Sequence, residues 1–290
     1  MKLRTLCLLA LAGCVPVGVA ADAPRRVAQL DWTETFERFG GLSGLMLSPD
    51  GTELIAVGDR GRVFLGRVTR DADGHPTAVE MLEESWLKGP DGRRLRGRHR
   101  DAEGLAPASE GGFYVSFERE HRIDLYAERA ALPDTVEAPD DFATLQENSG
   151  LEALASGPDG TLYAIPERSG ELDRPFPVYR RTAEGWDTAL AVPRRGGFLV
   201  TGADLGPDGR FYVLERSVGL LGLSVRVRSF AIGEGLEDER IALPPTGTVD
   251  NAEGIDVWRD PAGRLRMTLI SDDNFSFIQQ TLLTEYILPE

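Results

Sequence analysis

One phrase recurs five times in this chain, at intervals of about fifty residues. It consists of a short apolar run, a tight turn rich in Pro, Asp and Gly, a second apolar run, and an acid. The first copy is Leu42–Leu47, turn Ser48-Pro49-Asp50-Gly51, then Leu54–Val57. The second is Asp101–Ala106, turn Ser109-Glu110-Gly111-Gly112, then Phe113–Phe117. The third is Gly150–Ala155, turn Gly157-Pro158-Asp159-Gly160, then Leu162–Ile165. The fourth is Thr201–Leu205, turn Gly206-Pro207-Asp208-Gly209, then Phe211–Leu214, and the fifth Asn251–Val257, turn Asp260-Pro261-Ala262-Gly263, then Leu265–Ile270. Proline presets φ for a turn, glycine accepts positive φ, and an Asp side chain bonds its own turn, so Asp50, Asp159 and Asp208 read as turn residues. The flanking β-branched and aromatic runs suit strands. Arg62–Val68, Pro177–Arg181, Ser224–Ala231 and Phe277–Ile287 are candidate third or fourth strands.

A unit of this size cannot bury its faces alone, and a period near fifty with several strands per unit predicts an all-β chain folded as a single β-propeller. Five four-stranded blades are visible. A sixth stays open, because the first unit, from Ser43 to Glu103, is long enough to hide an irregular blade. The fifth repeat leaves too little chain for four strands, so Val27–Trp32 is expected to supply its outer strand and close the ring, removing free sheet edges. The propeller should span residues 27–290.

Hairpin geometry then addresses the acids. In a propeller the start of each innermost strand lies beside the end of the second, at one mouth of the central channel. Ser43, Glu103, Glu152, Glu253 and Asp204 are expected at first-strand starts, and Asp59, Glu118, Glu167, Glu215 and Asp272 or Asp273 at second-strand ends. So many carboxylates raise one another's pKa or recruit cations. Oxygen donors in such number suit Ca2+, with Glu103, Glu152, Glu253, Asp59 and Asp272 as ligands and Asn148, Asn251 and Asn274 in support. The same glutamates also fit a purely structural role, bonded to neighbouring backbone. Arg60, Arg119, Arg168 and Arg216 each follow a second-strand acid, and strand alternation would send them to pair elsewhere. His75, His99 and His121 lack zinc-ligand spacing. Ahead of Glu103 lies a basic cluster, Arg93, Arg94, Arg96, Arg98, His99 and Arg100, from which Arg98 and Arg100 are placed to hold an anionic group. Glu167 is the candidate general base. Gly41-Leu42-Ser43-Gly44 is no nucleophile elbow, and no glycine-rich phosphate loop opens a helix.

Acids outnumber bases 47 to 32, a net charge of −15 over 290 residues, which disfavours binding to a phosphate backbone. Lys2 and Arg4, the apolar run Leu6–Ala12 and the small residues before Asp22 read as a secretory signal peptide over residues 1–21. Leu11-Ala12-Gly13-Cys14 offers a lipobox alternative, cleaved after residue 13 and anchored at Cys14. Either route predicts export to the periplasm or beyond. Both cysteines, Cys7 and Cys14, fall in this leader, so the domain has no disulfide framework or thiolate site. No later stretch is apolar enough to span a membrane.

The phrases Gly-Leu-Ser-Gly-Leu, Asp-Ala-Glu-Gly-Leu-Ala, Gly-Leu-Glu-Ala-Leu-Ala, Gly-Pro-Asp-Gly-Arg-Phe-Tyr-Val-Leu-Glu-Arg and Asn-Ala-Glu-Gly-Ile-Asp resemble the bacterial "esterase-like activity of phytase" family from about Gly40 onward. The resemblance implies an exported propeller with phytase-like or esterase-like activity. It departs from propeller phytases in one respect: Lys88 is the only lysine beyond the leader. The expected function is metal-dependent hydrolysis of small phosphate or carboxylic esters. A ligand- or partner-binding propeller with structural Ca2+, and a lactonase-type propeller, are the alternatives.

Overall fold

The structure, a computed structural model, describes residues 23–34, 39–220 and 222–289. The expected leader, its two expected cleavage sites and Cys14 lie outside these residues. Strand β1 (Arg25–Asp31) precedes blade 1, which holds β2 (Leu42–Leu47), β3 (Glu53–Gly58), β4 (Arg62–Arg70) and β5 (Pro76–Trp86). Blade 2 holds β6 (Ala102–Pro107), β7 (Phe113–Phe117), β8 (Arg122–Tyr126) and β9 (Pro133–Thr135). Blade 3 holds β10 (Leu151–Ser156), β11 (Leu162–Pro166), β12 (Phe176–Thr182) and β13 (Gly185–Val192). Blade 4 holds β14 (Leu199–Leu205), β15 (Arg210–Gly219), β16 (Gly222–Ile232) and β17 (Leu236–Thr246). Blade 5 holds β18 (Asn251–Arg259), β19 (Leu265–Asp272) and β20 (Leu282–Ile287), and β1 pairs antiparallel with β20 as its outer strand. The chain's two ends thus close a ring of five antiparallel sheets. Trp32 anchors the closure: its backbone N–H donates to Thr281 O at 2.8 Å and its ring is buried with Leu42, Leu54 and Phe64.

The sixth blade is not there. The extra length of the first unit goes into the eleven-residue β5 and a connection containing a 3-10 turn at Gly97–His99. The expected strand over Phe277–Ile287 begins only at Leu282. Asn274 and Phe275 both take left-handed backbone, with Asp273 Oδ1 accepting the Phe275 N–H at 3.0 Å, and this turn leaves Phe277 fully exposed.

The repeated turns do what their chemistry dictates. Asp50, Asp159, Asp208 and Asp260 each accept a backbone N–H two residues on. Ser48 and Thr52 hold the Asp50 carboxyl down at about 2. Between blades the core is aliphatic and aromatic, as where Val57, Val63, Leu105, Phe113 and Val115 meet between blades 1 and 2.

Candidate functional site at the acidic mouth

Each innermost strand carries a bulge at the same level. The ladder register skips between Leu42 and Gly44, Ala102 and Leu105, Leu151 and Ala153, Val200 and Gly202, and Ala252 and Gly254. The residues set free are Ser43, Glu103 with Gly104, Glu152, Thr201 and Glu253. A bulge re-aims the side chain it releases, and five of them in register make a ring. One step further in, four of the five blades carry glycine, at Gly44, Gly104, Gly202 and Gly254, and blade 3 carries Ala153. A Cβ on Gly44 would lie 2.6 Å from Leu105 Cβ, one on Gly104 2.6 Å from Leu154 Cβ, and one on Gly254 3.0 Å from Leu45 Cβ. This close approach plugs the channel with Leu45, Leu105, Leu154, Ala203 and Ile255, leaving a void of only about 10 Å³. The propeller has two blind mouths, not a pore.

The acidic mouth gathers most of the expected carboxylates. Glu103, Glu118, Glu167 and Asp272 are buried, and Glu152 and Glu253 partly so. Burial, reinforced by Glu152, Glu253, Glu118 and Asp101, pushes Glu103 well above the usual carboxylate range, and burial with Glu253 and Glu167 does the same to Glu152. Burial lifts Asp59 to about 6 and Asp272 to about 8. Burial and Asp101 lift Glu118 to about 7. Carboxylate oxygens of Asp101, Glu103 and Glu118 lie within 4.8 Å of one another, the spacing of ligands around one ion. Asp59 Oδ1 is buried with no hydrogen-bond partner. An all-oxygen donor set with an orphaned acceptor fits a hard cation such as Ca2+.

Arginines enter this mouth, contrary to the expectation from strand alternation. Arg216 Nη1 donates to Asn251 Oδ1 at 2.5 Å and to Glu253, and its Nη2 reaches Glu167 Oε1 at 3.4 Å. Arg119 Nε donates to Asp101 Oδ2 at 2.5 Å, and Arg168 Nε to Glu167 Oε2 at 3.0 Å. Arg119 and Arg168 lie past the ends of their strands, where alternation stops. Arg216 remains in β15, and its long side chain spans the gap to β18. Arg60 instead covers the Phe275 ring at 3.3 Å.

Not every expected residue is in the mouth. Glu215 turns into blade 4, because β15 runs on to Gly219 and keeps Glu215 inside the ladder opposite Val200. Asp204 lies at the far end of β14, and Thr201 occupies the ring position instead. Arg98 sits on the outer rim, pairing with Glu147 at 3.3 Å and donating to Arg119 O at 3.1 Å. Arg100 is nearer, packed over Gly61 and acting on Asp59. The remaining basic residues line a separate basin of about 880 Å³ with Glu120 and Arg122. Asn148 is exposed, and the Asn274 amide donates to Gln279 at 3.2 Å. Lys88 donates to Ala130 O at 2.8 Å, in neither mouth. The Asp101–Glu118 partnership was readable only as two acids flanking one hairpin. The reach of Arg216 across blades had no sequence signal.

Beside the ring, a pocket of about 490 Å³ opens between Glu167, Arg168, Leu199, Arg216, Val218 and Asn251. It gives a small substrate somewhere to sit within reach of both the acids and a guanidinium.

A family model described as phytase-like, esterase-like activity of phytase, matches residues 37–275. No curated protein matches the sequence. Among solved structures, virginiamycin B lyase from Staphylococcus aureus is similar at 13% identity over 84% of this chain and 70% of that chain, with a TM-score of 0.45. An alpha-L-arabinofuranosidase from Podospora anserina is similar at 11% identity over 92% of this chain and 97% of that one, with a TM-score of 0.48.

Proposed function

We propose that this chain, which belongs to the phytase-like family defined by the esterase-like activity of phytase, is an exported, calcium-dependent hydrolase of small carboxylic or phosphate esters. One observation carries the reading: a ring of withdrawn carboxylates whose nearest charges are mostly other carboxylates, with Asp59 Oδ1 left without a partner. Asp101, Glu103 and Glu118 are the residues that would hold the ion, with the charges of Glu152 acting on Glu103 and of Asp101 acting on Asp59. Calcium bound there supplies Lewis-acid polarisation of the ester oxygen and a more acidic water.

The chain's own groups divide the remaining work. Arg216, held by Asn251 and Glu253, presents a guanidinium to an anionic substrate group at the neighbouring pocket. Glu167 is fixed between Arg168 and Arg216 and so orients that guanidinium. Glu152, beside the ion's ligands and held well above the usual carboxylate range by burial, Glu253 and Glu167, is the group left free to transfer a proton. With one lysine beyond the leader, and that one outside the mouth, esters smaller than phytate are the favoured substrates.

The test is hydrolysis of p-nitrophenyl acetate, p-nitrophenyl butyrate and p-nitrophenyl phosphate by purified protein, with calcium and after chelation. Calcium-dependent turnover that is lost in E118Q is expected. Silence on all three, with or without calcium, overturns the enzymatic reading and favours the ligand-binding alternative.

A further inference from the structure

The channel's other mouth is built from the opposite material. A pocket of about 850 Å³ opens there, floored by the leucine plug and walled by Leu47, Leu205, Val257, Pro158 and Trp258. This volume is that of a small-molecule site, and the lining is predominantly apolar, as such sites are. Two inner-strand carboxyls break that wall, Asp204 on β14 and Asp256 on β18, while Arg259 at the end of β18 lies at the pocket's edge and donates to Gly263 O at 2.7 Å. The three other blades carry Met46, Ala106 and Ala155 at the same level.

Part of what these aspartates do is architectural. Asp204 Oδ2 accepts the Val257 N–H at 2.6 Å, and Asp256 Oδ2 accepts the Leu47 N–H at 2.5 Å. Each therefore stitches its inner strand to the next one around the ring. Asp204 Oδ1 also accepts the Leu205 N–H at 2.8 Å. An asparagine would serve that purpose equally through its carbonyl oxygen, so stitching does not explain a carboxyl. Among the described residues neither aspartate is paired with an arginine or lysine. The nearby Arg129 at the pocket's rim is already paired with Glu83 at 2.7 Å. Burial raises Asp204 to about 7 and Asp256 well above the usual range. Within the blades, by contrast, the fully buried Glu215 and Glu285 each have a guanidinium.

We infer that this pocket is a second ligand site, separate from the acidic mouth, for a small apolar molecule carrying one ammonium group, which Asp204 and Asp256 would receive while the leucine, proline and tryptophan walls take the apolar body. Charge complementarity selects that class. An anion would meet two carboxyls, with the pocket's arginines already engaged, Arg129 by Glu83 and Arg259 by Gly263 O, and a neutral apolar molecule would leave the buried carboxyls unanswered. The plug separates the two mouths, so occupancy of this site does not require the calcium site to exist.

The test uses 1-naphthylmethylammonium, 1-naphthalenemethanol and 1-naphthoate as probes, followed by backbone amide NMR and calorimetry on the full domain. The ammonium probe is expected to shift the amides of Leu47, Leu205 and Val257 and to bind about tenfold or more tightly than either other probe. D204N and D256N keep the acceptor for the stitching N–H and should each weaken ammonium binding several-fold while leaving naphthalenemethanol unchanged. L205W, which fills the pocket from its wall, should abolish binding of both without touching the acids. E103Q at the opposite mouth should change nothing. The inference is overturned if no probe shifts those amides at about 5 mM, if the naphthoate binds as well as the ammonium, or if D204N and D256N bind the ammonium as tightly as the parent.

Discussion

Glu215 and Glu103 are both glutamates of the inner half of a blade, both withdrawn from water, and their surroundings are opposite. Glu215, at 0% exposure, is bracketed by Arg226 at 2.8 Å and Arg228 at 2.6 Å. Glu285 in blade 5 repeats the arrangement with Arg70 at 2.9 Å and Arg266 at 2.6 Å. Glu103 instead faces Glu152, Glu253, Glu118 and Asp101. A charge buried within a blade is balanced from within the same sheet or its neighbour, and this is architecture. The charges at the mouth are left for something outside the chain to balance. The difference separates structural acids from candidate ligands more sharply than burial does, because burial is nearly the same for both.

That contrast can be broken by substitution. E215A strands two buried guanidiniums and should cost about 3–5 kcal/mol in urea unfolding. E103Q, in calcium-free protein, removes a repelled charge and should leave the urea midpoint unchanged or higher. Equal destabilisation by the two would erase the distinction. Calcium should separate them in a second way. At a hundredfold excess over its dissociation constant it should stabilise the parent by about 2.7 kcal/mol, and this gain should vanish in E103Q and in E118Q but survive conservative changes at Arg226, which lies within blade 4 away from the mouth.

pH sharpens the comparison further. Acids whose folded pKa lies above the unfolded value stabilise the fold fully only below the unfolded value, and that stability is lost as pH rises through the folded one. With Asp59 at about 6, Glu118 at about 7 and Asp272 at about 8, the calcium-free melting temperature should fall between about pH 5 and pH 8. Calcium should flatten the slope. A melting temperature that rises across this window would mean the mouth is already compensated. The smallest effects should come from the arginines. R216M should raise KM for an anionic ester about tenfold with a smaller change in kcat, whereas R98A, on the outer rim, should alter neither by more than about twofold.

The fold was legible because its determinants are local. Pro-Asp-Gly turns and apolar runs name their own conformation, and five copies at one spacing leave few architectures. The strand Val27–Trp32 was readable as the ring's closure for the same reason: a short last repeat needs a partner. The mouth was legible to the extent that hairpin geometry is. Glu103, Glu152 and Glu253 fall at equivalent bulges, and the register confirms it. Where a strand's length decided the outcome, the reading failed. Glu215 looks like Glu118 and Glu167 in sequence, yet β15 continues four residues beyond it and alternation turns it inward. Asp204 looks like a ring residue, yet the bulge at Thr201 shifts it to the opposite mouth. Arg216 reaches Glu253 across 37 positions, and no periodicity encodes a contact between blades.

The mouth carboxylates should exchange protons for a divalent cation. Calorimetric titration of calcium into chelator-treated protein near pH 7, repeated in two buffers of different ionisation enthalpy, reads both halves of that exchange at once. The prediction is one site whose occupation releases protons from the raised carboxyls of Glu103 and Glu118, and which disappears in E103Q. Calcium that does not bind, or that binds with no proton release and equally well to E103Q, would contradict it.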